Sequence, residues 1–264
     1  ACTDARPCAQ GQRCRPDGHC TSWQRPECEL REGKLESPSA LLIGALGDAS
    51  DPAQQARLQA AQLAVRELND SGALAGGQRV ALLVCDDAHD RERSLELARF
   101  LVNTVGVSAI LGPQQSSAFV DVATELAATE PLLLMSPSAT SATISGLDDR
   151  GMAWRTIASD SHQAQALADR MPMLGAESAL VLAQEGAYGA SLLDGLTRVL
   201  IERALPAPRV ATLPAPLDAA SFVATIENPP ELVVLLAGPE CPELIAAFEN
   251  EASRRALPPP RYLL

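Results

Sequence analysis

Apolar runs of strand length recur along most of the chain, and segments with helical periodicity separate most of them. The clearest helical segment spans residues 53–70, where Leu58, Ala61, Val65 and Leu68 are spaced by three, four and three residues. Strands that alternate with helices are typical of βαβ units, so the pattern predicts an α/β protein with parallel sheets. The strand-like runs are Leu41–Leu46, Val80–Cys85, Val107–Leu111, Leu132–Met135, Ala153–Ile157, Ala179–Ala183, Arg209–Leu213, Leu232–Ala237 and Tyr262–Leu264.

These nine runs are many for a single doubly wound domain in a chain of 264 residues. A break near Trp154 to Thr156 divides them into about four before it and four after it. We therefore predict a first α/β lobe over residues 39–155 and a second over residues 156–264, joined by crossings of the chain. The carboxyl ends of the strands of the two lobes would face each other across a cleft.

Composition and charge limit the function classes. The chain is 47% apolar, which is typical of a globular protein, and its net charge is −12 with a pI near 4.7. Nucleic-acid binding needs a basic face, so we predict no nucleic-acid partner. No apolar stretch approaches the roughly 20 residues of a membrane span.

Five of the seven cysteines lie in the first 28 residues. This segment is too short and too rich in Gly, Pro and Arg to form a core, so we predict a disulfide-stapled head in an oxidising compartment. Residues 1–38 would form this head and a linker, since residues 29–39 are polar. A zinc site is the alternative, although the spacing lacks the C-x2-4-C pairs of most zinc modules. The five cysteines are Cys2, Cys8, Cys14, Cys20 and Cys28.

The cysteines admit further predictions. Ala1-Cys2 resembles the cut end of a bacterial lipobox, which makes Cys2 a lipidation candidate; the alternative is an arbitrary start of the sequence. A disulfide between Cys85 and Cys241 would hold the predicted cleft shut, so we predict that both are free thiols. With Cys2 lipidated, the cysteines left to form two disulfides are Cys8, Cys14, Cys20 and Cys28.

Four short polar segments directly follow strand-like runs: LGPQQSS, SPSAT, ASD and AYG. Ligands of open α/β sheets bind at the carboxyl ends of strands, so these segments are the candidate site. Ser116, at a predicted helix start, and the hydroxyls of Ser138 and Thr140 suit an anion such as a carboxylate. Asp160 and the aromatic face of Tyr188 suit an ammonium group.

Each of these residues also has a purely structural interpretation. Ser116 caps a helix in that interpretation, and Ser138 and Thr140 belong to a Ser/Thr-rich turn. Asp160 would be the first residue of a capped helix start, because Asp is a favoured N-cap and the segment resembles a capping box. Tyr188 would be a half-buried aromatic without a ligand.

The chain lacks four common catalytic and cofactor-binding motifs. G-x-S-x-G, H-E-x-x-H, P-loop and G-x-G-x-x-G patterns are absent from the sequence. Asp160, Ser161 and His162 are adjacent at a helix start and do not face one another, so they do not form a triad. We predict a protein that is not an enzyme and needs no metal or cofactor.

Taken in order, the polar segments and their neighbours resemble the type I periplasmic binding protein family, in particular the branched-chain amino-acid binding proteins of ABC transporters. The resemblance runs from about Leu41 to Leu264 and includes ARLQAAQLAVRELNDSG, LLVCDDAHD, ILGPQQSS, LLLMSPSAT, WRTIASD, AYGASL and VVLLAG. It implies two flavodoxin-like lobes that close about a hinge. The family chain continues beyond this point, so we expect the first lobe to be incomplete at its C-terminus.

The resemblance also implies roles for individual residues. The positions of Ser116, Ser138 and Thr140 hold a ligand α-carboxylate, and that of Asp160 holds an α-ammonium. The position of Tyr188 packs over the ligand. In the segment GPEC, Glu240 or Cys241 would contact the ligand side chain. The family's usual first-lobe contact falls near residues 48–53, where this chain has no aromatic residue.

We therefore predict a small amino acid-like ligand and an ABC transporter permease as partners. The predicted location is the periplasm or cell envelope, where a lipid on Cys2 would be the sole attachment to a membrane. The alternative is a sensory or protein-interaction lipoprotein with the same fold, whose cysteine-rich head contacts a partner.

Overall fold

The computed structural model describes residues 2, 3, 6, 8–15, 17–36 and 39–264. The chain forms two compact units. The N-terminal unit comprises Ala1–Ala139 and Ile144–Ile157, and the C-terminal unit comprises Thr140–Thr143 and Ala158–Leu264. Both are built from parallel sheets covered by helices, so the α/β class predicted from the pattern is confirmed.

Twelve strands and seven α-helices make up the described part of the chain. The strands are β1 (Gln12–Cys14), β2 (Cys20–Ser22), β3 (Cys28–Glu32), β4 (Leu41–Gly47), β5 (Val80–Asp86), β6 (Ala109–Leu111), β7 (Leu133–Ser136), β8 (Ala153–Arg155), β9 (Ala179–Gln184), β10 (Arg209–Leu213), β11 (Leu232–Leu236) and β12 (Arg261–Leu263). The α-helices are α1 (Pro52–Ser71), α2 (Arg91–Arg99), α3 (Ser116–Val122), α4 (Asp160–Met173), α5 (Ala187–Glu202), α6 (Ala219–Ala224) and α7 (Cys241–Arg254). Single π-helical segments continue α2 over Phe100–Val105 and α3 over Ala123–Ala127.

The N-terminal unit has one six-stranded sheet in the order β3-β5-β4-β6-β7-β8. Strands β4 to β8 are parallel, and β3 pairs antiparallel with β5 at one end. Side chains alternate across the sheet, so Leu82 and Val84 pack with Val65 of α1. Leu83 points to the other face and packs in the cluster that contains Leu97 of α2. This sheet is therefore covered by helices on both faces, as the doubly wound pattern requires.

The C-terminal unit has a four-stranded, fully parallel sheet in the order β10-β9-β11-β12. Val181 packs with Leu196 of α5 on one face, whereas Leu182 packs with Leu244 of α7 on the other. Every residue of β11 is buried, which is the pattern of a strand covered on both sides. Because the strands run in one direction, the loops that follow β9, β10 and β11 lie at the same edge of the sheet.

Six of the seven cysteines form disulfides. Since both bonds of the head, Cys2–Cys14 and Cys8–Cys20, are present, the prediction of a disulfide-stapled head is confirmed. The sulfur atoms of Cys2, Cys8 and Cys14 lie within 4.8 Å of one another, as in a zinc site, but all three are oxidised.

Three cysteine predictions are wrong. Cys85 is not a free thiol, because it is bonded to Cys28, and only Cys241 remains free. The sulfur of Cys2, the lipidation candidate, is bonded to Cys14. Cys8, Cys14, Cys20 and Cys28 do not form two disulfides with one another, because Cys14 pairs with Cys2 and Cys28 with Cys85. The cause of the first error is that residues 29–32, interpreted as linker, belong to β3, whose antiparallel register places Cys28 opposite Cys85.

None of the helices in the described ranges combines the length and apolar character that a bilayer-spanning segment requires.

Candidate functional site

In the N-terminal unit, the loops after β6 and β7 meet through serine hydroxyls. The Ser138 hydroxyl donates to the carbonyl oxygen of Gln114 at 2.8 Å, and the Ser136 hydroxyl donates to that of Pro113 at 2.8 Å. Ser136 Oγ also accepts from the backbone N–H of Ala139 at 3.0 Å. Ser138 thus lies beside the loop that leads to α3. Sequence reasoning missed Ser136, the fully buried residue that ties the two loops together.

Ser116 is the first residue of α3 and is only 7% exposed. Gln115 occupies the capping position before the helix, so Ser116 is not the N-cap residue of the structural interpretation. Its loop packs tightly on the end of β4, since a Cβ on Gly112 would lie 2.5 Å from the carbonyl oxygen of Leu46. The φ angle of Gly112 is +99°, which also favours glycine.

A second set of polar groups at this edge of the N-terminal unit was not predicted. Gln54 of α1 is 4% exposed; its Oε1 accepts from the backbone N–H of Asp48 at 3.0 Å, and its Nε2 donates to Asp51 at 3.1 Å. The same Nε2 lies 3.1 Å from His89 Nδ1. Hydrogen bonds from Ser50 hold the pKa of Asp48 below its usual range. The polar residues 48–53, which contain no aromatic side chain, are the only signal of this cluster in the sequence.

In the C-terminal unit, Asp160 begins α4 and its side chain is almost completely buried, with 1% exposure. Its backbone N–H donates to the carbonyl oxygen of Thr140 at 2.9 Å, which places these two predicted residues side by side. Ser159 is the N-cap residue and its side chain accepts from Ser161, so Asp160 is not the cap. Asp160 is thus the first residue of a helix that Ser159 caps, in agreement with a capped helix start, and the structure adds that its carboxylate is buried.

Tyr188 lies in the first turn of α5, half-buried against the core of the C-terminal unit. Burial raises the pKa of its phenol, and the negative charge of Asp160 raises it further, against a hydrogen bond with the side chain of Gln163. The starts of α4 and α5 thus bring Asp160, Gln163 and Tyr188 into one cluster.

Glu240 occupies the capping position before α7, after β11. Its Oε2 accepts from the backbone N–H of Gly238 at 3.2 Å, and the thiol of Cys241 donates to the carbonyl oxygen of Ala237 at 3.4 Å. Burial raises the pKa of the Cys241 thiol, and the negative charge of Glu240 adds to the effect. Sequence reasoning missed Gln184, the last residue of β9, whose buried Oε1 accepts no hydrogen bond from any residue that the structure describes.

The first turn of α5 packs directly on the end of β9, which gives a testable prediction. A Cβ on Gly189 would lie 2.0 Å from the carbonyl oxygen of Gln184. In the Gly189→Ala variant the backbone at the start of α5 must therefore move away from the end of β9. We expect this variant to lower the free energy of unfolding by about 2 kcal/mol in chemical denaturation. Ala190→Ser, at the exposed next position, should change it by less than about 0.5 kcal/mol. Equal stabilities for the two variants would show that the junction is loose.

The predicted residues therefore fall into two sets, one in each unit. Ser116 and Ser138 lie in the N-terminal unit. Those in the C-terminal unit are Thr140, Asp160, Tyr188 and Glu240, together with Cys241.

Residues 41–252 match the sequence profile of a family described as periplasmic binding protein. The chain belongs to the periplasmic binding protein family. Among solved structures, this family member is similar to an ABC transporter substrate-binding protein from Desulfitobacterium hafniense, with 19% sequence identity and a TM-score of 0.62. The similarity covers 80% of this chain and 63% of that one, so the chain spans less than two thirds of its relative. No curated protein sequence matches it.

Proposed function

We propose that this periplasmic binding protein binds a small amino acid-like solute outside the cytoplasm and delivers it to an ABC permease, without catalysis. The burial of Asp160 is the observation that supports an amino acid-like ligand. Its carboxylate has 1% exposure and lies at the start of α4 beside Tyr188. A carboxylate in such a position suits an ammonium group, since a buried charge is stabilised by an opposite charge that hydrogen-bonds to it. The aromatic ring of Tyr188 supports the same cation.

We assign the binding of the ligand carboxylate to three hydroxyl groups. Ser116, Ser138 and Thr140 would hydrogen-bond to the ligand carboxylate, and charge-assisted bonds of this kind are stronger than neutral ones. The Ser138 hydroxyl donates to the carbonyl oxygen of Gln114, so carboxylate binding would exchange that bond for a stronger one. The proposal thus places acceptors for the ammonium and donors for the carboxylate on different residues.

Titration calorimetry of the protein against the 20 standard amino acids and a set of small amides tests this function. We expect at least one α-amino acid to bind and its α-amide or decarboxylated analogue to bind more weakly, since these lack the carboxylate. A protein that binds no member of the panel would refute the ligand class. Binding of the amides with the same affinity as the acid would refute the assignment of the hydroxyls.

Cys241 offers an internal reporter for this site, because it is the one free thiol among the seven cysteines. It lies next to Glu240, and its charge state influences the pKa of Tyr188. We expect a saturating amino-acid ligand to slow alkylation of Cys241 by a small neutral maleimide several-fold. The rate is read by mass spectrometry of the intact chain.

The control is the same alkylation in urea, where folding no longer shields the thiol and the ligand should have no effect. An unchanged rate in the folded, ligand-saturated protein would show that Cys241 lies outside the site.

A further inference from the structure

The β1–β2 hairpin of the head divides its side chains between two faces. Its antiparallel register places Cys14 opposite Cys20 and Arg13 opposite Thr21. Residues directly opposite each other share a face, and successive residues of a strand alternate between faces. One face therefore carries the two cysteines, each bonded in one of the disulfides of the head, and the other carries Arg13 and Thr21.

Two more side chains extend the second face. The backbone N–H of Arg15 donates to the carbonyl oxygen of His19 at 2.9 Å, so these two residues continue the pairing of the strands. Arg15 is two positions from Arg13 and lies on the same side. We call the surface formed by Arg13, Arg15, His19 and Thr21 the basic face. The one acidic residue of the hairpin is Asp17 in the turn, whose Oδ1 lies 3.4 Å from His19 Nδ1.

The two arginines of the basic face lack the ion pairs that other arginines of the N-terminal unit form. Arg25, Arg31 and Arg66 are each paired with a glutamate. Among the residues that the structure describes, none forms an ion pair with Arg13 or Arg15 or accepts a hydrogen bond from either guanidinium. The basic face thus presents two guanidinium groups whose donors are available to a ligand.

The position of Arg13 is set by the neighbouring backbone. A Cβ on Gly106 would overlap Nη1 of Arg13, so the guanidinium lies against the turn that ends the π-helical segment after α2. Burial lowers the pKa of Arg13, and the positive charge of Arg15 lowers it further. The carbonyl groups at the end of the helical segment favour one cation, which accounts for Arg13 but not for a second arginine beside it. A bound anion would offset both the burial and the repulsion.

We propose that the basic face binds a phosphate group, held by the guanidinium groups of Arg13 and Arg15 and by the hydroxyl of Thr21. Arginine suits this ligand because its planar fork of N–H donors matches the oxygens of a phosphate. The net charge of the whole chain is −12, so the attraction comes from these contacts and not from the overall field of the protein. The phosphate belongs to a soluble molecule or to a lipid headgroup, since both present the same oxyanion.

Two binding measurements test the inference, both in about 150 mM NaCl so that weak surface attraction is screened. Inorganic phosphate is titrated into the protein by calorimetry, and vesicles of phosphatidylglycerol are compared with vesicles of phosphatidylcholine by co-sedimentation. We expect saturable binding of phosphate or of the phosphatidylglycerol vesicles. Arg13→Gln and Arg15→Gln should each weaken it at least about tenfold. Arg66→Gln, which removes an arginine already paired with Glu32, should leave it unchanged.

The two measurements also distinguish the sources of the phosphate. Binding of inorganic phosphate without vesicle binding supports a soluble ligand, and vesicle binding that Arg15→Gln abolishes supports a lipid headgroup. Arg15 is exposed, so this variant does not act by disturbing the packing of the head. The inference is wrong if neither probe binds, or if Arg66→Gln weakens binding as much as the two variants of the basic face. Its failure would leave the proposed amino-acid binding function untouched, because that function uses none of these residues.

Discussion

Replacing Cys28 and Cys85 together by serine will lower the free energy of unfolding by about 4 kcal/mol, the largest stability change that we expect from any pair of side chains here. The bond joins residues separated by 57 positions, so it removes much of the freedom of the unfolded chain. It also attaches the edge strand β3 to β5, where it supplements the backbone hydrogen bonds of that pair. Urea denaturation of the oxidised proteins measures the difference.

Two controls isolate the effect of this bond. The Cys8→Ser, Cys20→Ser pair removes a disulfide with a separation of 12 and should cost less, about 3 kcal/mol. Cys241→Ser removes no disulfide and should have a small effect. A thiol assay on the denatured wild-type chain should find one free thiol per molecule, since Cys241 alone is unbonded. Finding three thiols, or a double variant as stable as the wild type, would show that Cys28 and Cys85 are not bonded.

Asp160→Asn is expected to weaken binding of the tightest amino acid in the calorimetric panel by at least about 30-fold. The substitution keeps the size of the side chain but removes the charge that would pair with the ligand ammonium in a site with 1% exposure. Truncating or neutralising one partner of a buried charge pair costs about 2 to 5 kcal/mol, because the remaining charge stays without compensation. The dissociation constant, measured by calorimetry, gives the change directly.

The matched control is Asp169→Asn on the same helix. Asp169 forms an ion pair with Arg203 at the surface, and 65% of its side chain is exposed. Loss of a surface pair of this kind costs little, so this variant should bind and unfold almost as the wild type does. Equal affinities for the two variants would assign Asp160 a structural role at the start of α4 and remove the main support for an amino-acid ligand.

Much of the fold could be predicted from the alternation of apolar runs and helical periods. The predicted run Leu232–Ala237 corresponds to the fully buried strand β11, and the predicted helix 53–70 corresponds to α1 over Pro52–Ser71. Both predictions are correct because hydrophobic periodicity can be read within a short stretch of sequence and reflects which side chains the core buries. Strand β3 was missed for the opposite reason. It is a polar edge strand, and its only evidence is a long-range pairing with β5.

The candidate site shows the same division. Ser138 and Asp160 could be located because each follows a strand-like run, and strand ends in parallel sheets are predictable from the chain. Ser136 and Gln184 also follow strand-like runs, but the chain alone does not show which distant groups they contact, and this is equally true of Gln54 on α1.

The sequence by itself determined the α/β class, the family, the strand-end positions of the candidate residues and the presence of a disulfide-stapled head. These properties depend on local periodicity, turn residues and composition. Only the tertiary structure decided which cysteines pair, because sulfur atoms bond according to distance in space, and the antiparallel register of β3 places Cys28 against Cys85. It also decided that Asp160 is a buried carboxylate beside Tyr188 and not a helix cap, because burial and charge proximity arise only when α4 and α5 pack together.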